Sequence, residues 1–546
     1  MIDYLISIFD DALINLGINE HPQLIFEEPK NASFGDLSTN IAMQLAKPLR
    51  KSPRQIAEMI IEKLNYDNKF INYVSIAGAG FINIKFSDDY YFGLLNEIAR
   101  NGEDYGRSST GNGKKINVEY VSVNPTGPLH LGHARNAAIG DTIANLYEWL
   151  GWEVTREYYF NNAGNQMNNL AKSIYARYMQ LLGNEDFPFP DDGYHGDYIR
   201  QIAASLIEKE DDKLKEGREQ DLLICRKFGE EWCFNKIKAT LERMNVHQDI
   251  YFNEDSLYSS GKIRQLIEDF RRMELAYDKD GAVWLAFTKL GLNDDRVIVK
   301  STGEPTYRLP DIAYHREKLS RGYDQLVDVF GADHIATVPD VLAGIKALNY
   351  DESKVKVIIH QFVTLMDGGQ QVKMSKRTGK SYTLDDLLDE VGPDVVRFFL
   401  LMRLVSTHLE FDLALAREQS DKNPVFYLQY AHARICSVID NGMQKGIRVE
   451  EDTDFTVLNH EKEIELIKWL IKLPDIIQLA GSKFEPQILA DYLRDLAAAF
   501  HIFYHELRII GAGDKIEEAR LKLADITRIV LANGLKILGI SAPERM

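Results

Sequence analysis

Residues 124–136 read NPTGPLHLGHARN, a turn stiffened by Pro125 and Pro128 that sets His130 and His133 three apart, just before a helix. Gly127 and Gly132 let backbone approach backbone or ligand closely. Both imidazoles can donate hydrogen bonds to phosphate oxygens without carrying a permanent charge. The chemistry on offer is the holding of an anion, and a nucleotide fits it. His-x-x-His alone is a weak signal, since paired histidines are more often packing or surface residues, and a metal site would need a third ligand that the sequence does not supply. A second segment, DGGQQVKMSKRTGKSYTLDD at 367–386, gathers Lys373, Lys376, Arg377 and Lys380 with no acid among them, between glycines that permit motion. By itself it reads as an exposed basic loop. In this order and with a sheet between them, the two motifs are hard to explain as accidents.

The elements that must position these residues are legible around them. In KKINVEYVSV, Ile116, Val118 and Tyr120 alternate with polar neighbours as in a strand, and after the turn Ile139, Ile143, Leu146, Tyr147 and Leu150 trace an apolar helix face that ends at Gly151. Strand, glycine-rich turn and helix in that order aim the free N–H groups of the helix start at whatever lies beyond the strand end. YDQLVDVFGADH and VKVIIHQFVTL add two β-rich runs separated by a helical stretch, as an open parallel α/β sheet requires. Between the first unit and these lies a mostly helical, charged insertion at about 165–295, whose charge runs read as a solvated helix face. Upstream, SPRQIAEMIIEKL predicts a helix capped at Ser52, YVSIAGAGFINIKF alternates like a strand, and NGEDYGRSSTGNGKK marks a domain boundary. Thr383 and Asp386 have capping-box spacing. From 424 onward the pattern is helical throughout, which predicts a separate bundle.

Composition narrows the setting. The 546 residues exceed one core, which points to several domains. No apolar run approaches the roughly 18–20 residues that cross a bilayer, and the acidic N-terminus does not resemble a secretory signal. Cys225, Cys233 and Cys436 form no CxxC pair, which argues against disulfides and a structural zinc and for the reducing cytosol. A net charge of −18 disfavours non-specific attraction to nucleic acid, so any such partner must meet local basic patches.

HLGH followed by KMSKR resembles the HIGH and KMSKS signatures of class I aminoacyl-tRNA synthetases. VEYVSVNPTGPLHLGHARNAAIGD, YFNNAGNQ, YRLPDIAYHREKLSRGYDQLVDVFGADH, FYLQYAHARI, ASFGDLSTNIAMQLAK and the terminal PERM are similar to the arginyl-tRNA synthetase family over essentially the whole chain. The resemblance implies a class I Rossmann-like parallel-sheet catalytic domain at 111–384, an N-terminal α+β domain at 1–110 that touches tRNA, a helical connector at 385–423 and an all-α anticodon-binding domain at 424–546. It implies a cytoplasmic, monomeric enzyme that joins L-arginine to tRNA-Arg with ATP and its Mg²⁺, with no structural metal and neither DNA nor a membrane as partner.

By the same resemblance, Pro125, Gly127, His130, Gly132 and His133 hold ATP, and Gly331, Asp333 and His334 lie by its ribose or adenine. Lys373, Ser375 and Lys376 take the pyrophosphate side. Catalysis falls to His130, His133, Lys373 and Lys376. Glu119 and Asn124 hold the amino and carboxyl end of arginine, while Tyr307 and Asp311 hold its guanidinium, which wants a planar carboxylate partner. Without the family, Asp311 would read as a helix N-terminal acid after Pro310. Tyr430, His432 and Arg434 are candidates for contact with tRNA bases, by stacking and edge hydrogen bonds. The chain departs from the signatures at Leu131, an apolar exchange, and at Arg377, which keeps both lysines and puts in doubt only the contact at that position. Two rivals stand beside this reading: a related class I enzyme acting on another small acid, and a synthetase-like protein that binds tRNA without catalysis. The long helical C-terminal part, Tyr307 with Asp311, and the presence of both histidines and both lysines disfavour them.

Overall fold

The computed structural model describes residues 1–372, 382–447 and 453–546. The chain divides into two compact units, one of residues 1–105, 435–472 and 498–529, the other of 106–434, 473–497 and 530–546. The chain passes from one unit to the other at 105/106, 434/435, 472/473, 497/498 and 529/530, so the helical C-terminal part contributes to both.

In the first unit a three-stranded antiparallel sheet, in the order Leu37–Thr39, Phe81–Phe86, Ile71–Ala77, carries the helices Ile2–Asn15, Ile41–Leu49 and Pro53–Lys63. The Ser52 cap is present, reciprocated by the Gln55 side chain. The stretch at 73–86, expected as one alternating strand, is instead a hairpin that turns at Gly78–Gly80. Gly80 has φ +133°, and a Cβ there would stand 2.8 Å from Pro53.

The second unit is built on five parallel strands, which we call β1 (Lys115–Glu119), β2 (Glu153–Phe160), β3 (Ile250–Asn253), β4 (Gln325–Gly331) and β5 (Val355–His360), in the order β5-β4-β1-β2-β3. The chain winds one way from β1 through β2 to β3, then returns to the other side of β1 for β4 and β5. The strand order therefore reverses at β1/β4, and ligands of such sheets settle beyond the carboxyl ends at that point.

The mostly helical stretch at about 165–295 also holds short strands: β3 joins the sheet edge, and Ala276–Lys279 and Ala282–Leu285 form an antiparallel sheet with Arg296–Val299 just beyond it. Four-residue strands are too short for their periodicity to stand out. The β-rich run VKVIIHQFVTL supplies two strands: β5, and Val363–Asp367, which leaves the main sheet to pair with Gln370–Gln371 and Leu409–Asp412.

Helix α1 (Leu131–Trp149) crosses β1 so closely that most of its length is buried, polar residues included. Gly140 makes this possible, since a Cβ there would stand 2.3 Å from the Tyr120 side chain. On α1, Asp141 is held at 2.6 Å by Arg397 of helix α4 (Pro393–Leu401), a fully buried guanidinium that also donates to the carbonyls of Leu538 (2.9 Å) and Met244 (2.8 Å). A buried cation is tolerable only when its donors are met in this way. Gly140→Ala should push α1 off β1 and cost about 1–3 kcal/mol through overpacking, read as a lower midpoint in thermal or urea unfolding. An unchanged midpoint would mean that α1 shifts at no cost.

Candidate active site at the strand reversal

The pairing of β1 with β4 ends at Glu119↔Asp328. Beyond it the backbone turns sharply, with Val121 at φ +71° and Ser122 at φ +44°, left-handed conformations that L residues adopt at a cost of order 1–3 kcal/mol each. Asn136 of α1 holds this bend. Its Oδ1 accepts from Val121 N–H (2.6 Å), and its Nδ2 donates to Val329 C=O (2.7 Å) and toward His360 Nε2 (3.3 Å). The side-chain amide thus stands in for a missing rung between β1 and β4 where the strands part. Next to it Arg135, also buried, donates to the carbonyls of Gln361, Thr407 and Leu404 (2.8–3.0 Å) and fixes the chain that follows β5.

The turn after the bend is held from outside. Tyr158 Oη donates to Val123 C=O (2.7 Å) and Tyr198 Oη to Thr126 C=O (2.8 Å). A Cβ at Gly127 would stand 2.9 Å from that tyrosine oxygen, so glycine here makes room for the insertion. Asn124 accepts from Asn161 N–H and donates to Gln166 Oε1, both at 2.9 Å.

At the helix start the imidazoles of His130 and His133 stack with centroids 3.4 Å apart and planes 22° apart. His130 Nδ1 accepts from Gly132 N–H (3.1 Å), and His133 Nδ1 accepts from His130 N–H (3.3 Å). Because each Nδ1 is an acceptor, the hydrogen of each neutral ring sits on Nε2, the atom a phosphate oxygen would meet. Lys373, Ser375, Lys376 and Arg377 lie outside the described residues. The helix behind them starts as predicted, with Thr383 and Asp386 capping each other, and its Leu384 N–H donates to Leu129 C=O (2.9 Å). The start of that helix is thereby joined to the histidine turn. Gly331 closes β4, and Asp333 and His334 follow it in one exposed turn of 3₁₀ helix.

On the other side of the bend lies a pocket of acids. Helix α3 (Arg308–Ser320) presents Asp311, His315 and Lys318 at helical spacing toward the ends of β1 and β4. The Lys318 ammonium, 0% exposed, lies 2.7 Å from Glu119 Oε2 and 2.5 Å from Asp328 Oδ1. It holds Asp328 well below the usual carboxylate range, whereas burial pushes Glu119 up. Glu119 also accepts from Ser122 Oγ (3.0 Å), while Glu254 accepts from Tyr159 Oη (2.6 Å) and Tyr258 Oη (3.1 Å). Burial, opposed by His315 and reinforced by Glu119 and Glu254, raises the Asp311 carboxyl to about 7. Tyr307, at the N-cap of α3, is 78% exposed.

Of the candidate tRNA residues, Tyr430 stacks on Phe426 (6.2 Å, 9°) with the Arg434 guanidinium 5.2 Å from its ring centroid. His432 is buried, with Nδ1 2.9 Å from Pro543 C=O. Cys225 and Cys233 are buried in apolar core, and burial pushes both thiols up to about 12. Among the described residues no group of three His, Cys, Asp or Glu is placed to hold a metal, and no helix is long and apolar enough to cross a membrane.

Sequence reasoning missed Asn136, Ser122, Glu254, His315, Lys318 and Asp328. The DIAYHREK spacing did carry a signal for His315 and Lys318, because positions i, i+4 and i+7 share a helix face. Nothing local marked Glu254, which joins the pocket only through sheet topology.

A parallel sheet with a histidine-capped helix start at its reversal point, joined through Leu129 to a second helix start at Thr383, is the framework of a class I synthetase. Residues 95–397 match the family described as tRNA synthetases class I (R), catalytic domain, residues 3–86 the arginyl tRNA synthetase N terminal domain, and residues 428–546 the DALR anticodon binding domain. The arginine--tRNA ligase of Salinibacter ruber is 47% identical over 100% of both chains, and that of Desulfotalea psychrophila 48% identical over 95% of this chain and 94% of its own. In fold, the Thermus thermophilus arginyl-tRNA synthetase superposes over 100% of both chains with a TM-score of 0.77 at 22% identity. The chain belongs to the arginyl-tRNA synthetase family.

Replacing Asn136 by leucine keeps the branching at Cγ, adds some bulk, and strands the Val121 N–H and Val329 C=O. Each buried polar group left without a partner costs about 1–3 kcal/mol, so urea unfolding should show a clear loss of stability. Loss of ATP-dependent activity should accompany it, and a fully stable variant would contradict the bridging role.

Proposed function

We propose that this chain is an arginine–tRNA ligase. The arginine carboxylate attacks the α-phosphorus of ATP and pyrophosphate leaves. The 2′-hydroxyl of the terminal adenosine of tRNA-Arg then attacks the adenylate carbonyl, losing its proton as AMP departs. The observation that carries the substrate assignment is Asp311, an acid turned toward Glu119 and Glu254 for which the structure gives no side-chain hydrogen bond or ion pair among the described residues. A guanidinium supplies the charge and the paired donors that such a pocket lacks.

Within this reading Asp311 and Glu254 face the guanidinium, with Tyr307 in reach at the pocket mouth. Glu119 receives the α-ammonium and Asn124 the carboxyl end. Pro125, Gly127 and Gly132 shape the turn that takes ATP, and Gly331, Asp333 and His334 lie on its nucleoside side. No residue becomes a covalent nucleophile, so catalysis is positioning and stabilisation of charge in flight. His130 and His133 donate through Nε2 to phosphate oxygens, and Lys373, Ser375 and Lys376 close from the pyrophosphate side, with Mg²⁺ arriving on ATP as part of the substrate. Tyr430 and Arg434 offer a stacking face and a cation to tRNA. We take residues 1–110, 111–384, 385–423 and 424–546 as the functional divisions of a cytoplasmic monomer that uses neither DNA nor a membrane.

The deciding measurement is ATP–pyrophosphate exchange with each of the twenty amino acids, with and without tRNA. Exchange should appear with arginine and depend on tRNA-Arg, as induced fit serving specificity would require. Exchange with another amino acid would overturn the substrate assignment, and tRNA-independent exchange would overturn the coupling. His133→Ala should lower kcat by about 10²–10³-fold with little change in KM for ATP. A loss that falls mainly on KM would make the ring a ground-state ligand instead.

A further inference from the structure

The helical stretch between β2 and β3 folds around its own core and reaches back to the turn that follows β1. Helices Gly164–Leu181, α2 (Asp197–Glu210) and Glu219–Arg243 bury Leu170, Ile174, Ile199, Ile202, Cys225 and Cys233 in one cluster. Close packing of this kind makes the three helices a stiff support. The first sends Gln166 to Asn124 and the second sends Tyr198 to Thr126. The third holds the approach from β2, where Arg226 donates to Asn162 C=O and Glu230 accepts from Asn162 Nδ2 (2.7 Å).

The Tyr198 ring lies between two glycines. A Cβ at Gly127 would stand 2.9 Å from its hydroxyl, and one at Gly196 2.5 Å from its ring. Seated there, the hydroxyl donates to Thr126 C=O at 2.8 Å. A trans peptide is planar, with its C=O and N–H on opposite sides, so this bond turns the Gly127 N–H away from Tyr198. That N–H has no hydrogen bond among the described residues. Asn124 is oriented as strictly. Asn161 N–H can only donate, so the Asn124 atom that it meets is Oδ1, and Nδ2 faces Gln166. One Nδ2 hydrogen goes to Gln166 Oε1, and the other has no partner among the described residues.

Building on the arginine–tRNA ligase reading, we infer that Tyr198 and Gln166 are positioning residues by which the helical insertion aims two donors of the β1 turn at the substrates. Tyr198 sets the Thr126–Gly127 peptide so that its N–H, and not its carbonyl, meets the phosphates of ATP. Gln166 sets the Asn124 amide so that its remaining hydrogen meets the arginine carboxylate. Neither residue touches a substrate itself. Without the Tyr198 hydroxyl the peptide is free to turn and present an acceptor to an anion. Without Gln166 the Asn124 amide swings its donor off line, and reacting groups that stand out of line are slow to react.

The two roles fall on different substrates. Tyr198→Phe keeps the ring between the glycines and removes only the donor, so KM for ATP should rise about tenfold, the loss of one hydrogen bond to a charged group, while KM for arginine stays. Gln166→Met should do the reverse, raising KM for arginine by about as much and leaving KM for ATP unchanged. Residues that serve only the fold would lower the urea midpoint and the active fraction without moving either constant. Steady-state arginylation of tRNA-Arg by the full chain, with ATP and arginine varied in turn, reads both. An unchanged KM for ATP in Tyr198→Phe, an unchanged KM for arginine in Gln166→Met, or a rise of both constants together overturns the inference. Absence of arginylation by the unaltered chain overturns instead the functional reading on which it rests.

A pair of changes reads the contact itself. Gly127→Ala sets a methyl group against the Tyr198 hydroxyl and should raise KM for ATP more than Tyr198→Phe does. Combined with Tyr198→Phe, which frees that space, the two changes should cost less than the product of their separate factors. Factors that simply multiply would show that Tyr198 does not bear on the turn in the working enzyme, and would refute its role.

Discussion

The site depends on one side-chain amide. Parallel strands that wind in opposite directions from a common centre must part beyond their last shared rung, and the parting exposes backbone groups that cannot be left dry and unpaired. Asn136 closes that gap by accepting from Val121 and donating to Val329. It thereby fixes the left-handed bend at Val121 and Ser122, and from this bend Glu119 faces one way into the acid pocket while the histidine turn runs the other way. The acid pocket and the histidine turn are neighbours because they share this hinge.

The two halves solve opposite electrostatic problems. The histidine turn offers two stacked imidazoles and the free N–H groups of a helix start. The acid pocket gathers Glu119, Glu254, Asp311 and Asp328 in little volume, with Lys318 and His315 among them. Buried charges of this kind contribute little to net stability by themselves. Their worth lies in the order they impose on the pocket.

What the sequence disclosed follows the range of the interactions involved. The strand, turn and helix at 115–149 and the caps at Ser52 and Thr383 are local patterns, and they appear where the spacing placed them. The short strand Ile250–Asn253 was hidden in a helical, charged stretch, because its place is decided by pairing with β2 and not by its own four residues. His432 looked like a base-reading residue because aromatic and basic neighbours surround it in sequence, yet a carbonyl 111 residues away takes its ring. Asp311 could have passed for an ordinary helix-start acid. The family resemblance singled it out, and physically it is set apart by burial beside Glu119 and Glu254, which pushes its carboxyl up.

The Arg397 network has a consequence for how the protein is made. Asp141 and Asn145 of α1 reach their partners through a turn near Leu538, and the bond from Asn145 to the Ile537 carbonyl spans 392 residues of chain. At about 5–20 residues per second of synthesis, the helix that carries both histidines waits roughly twenty seconds to more than a minute for the segment that seals it. Until then the Arg397 Nε and the Asn145 amide lack the carbonyls of Leu538 and Ile537, although Asp141 and Met244 are already in place. The helix that carries both histidines therefore completes its core only once the segment around Ile537 and Leu538 has been made, 392 residues after Asn145.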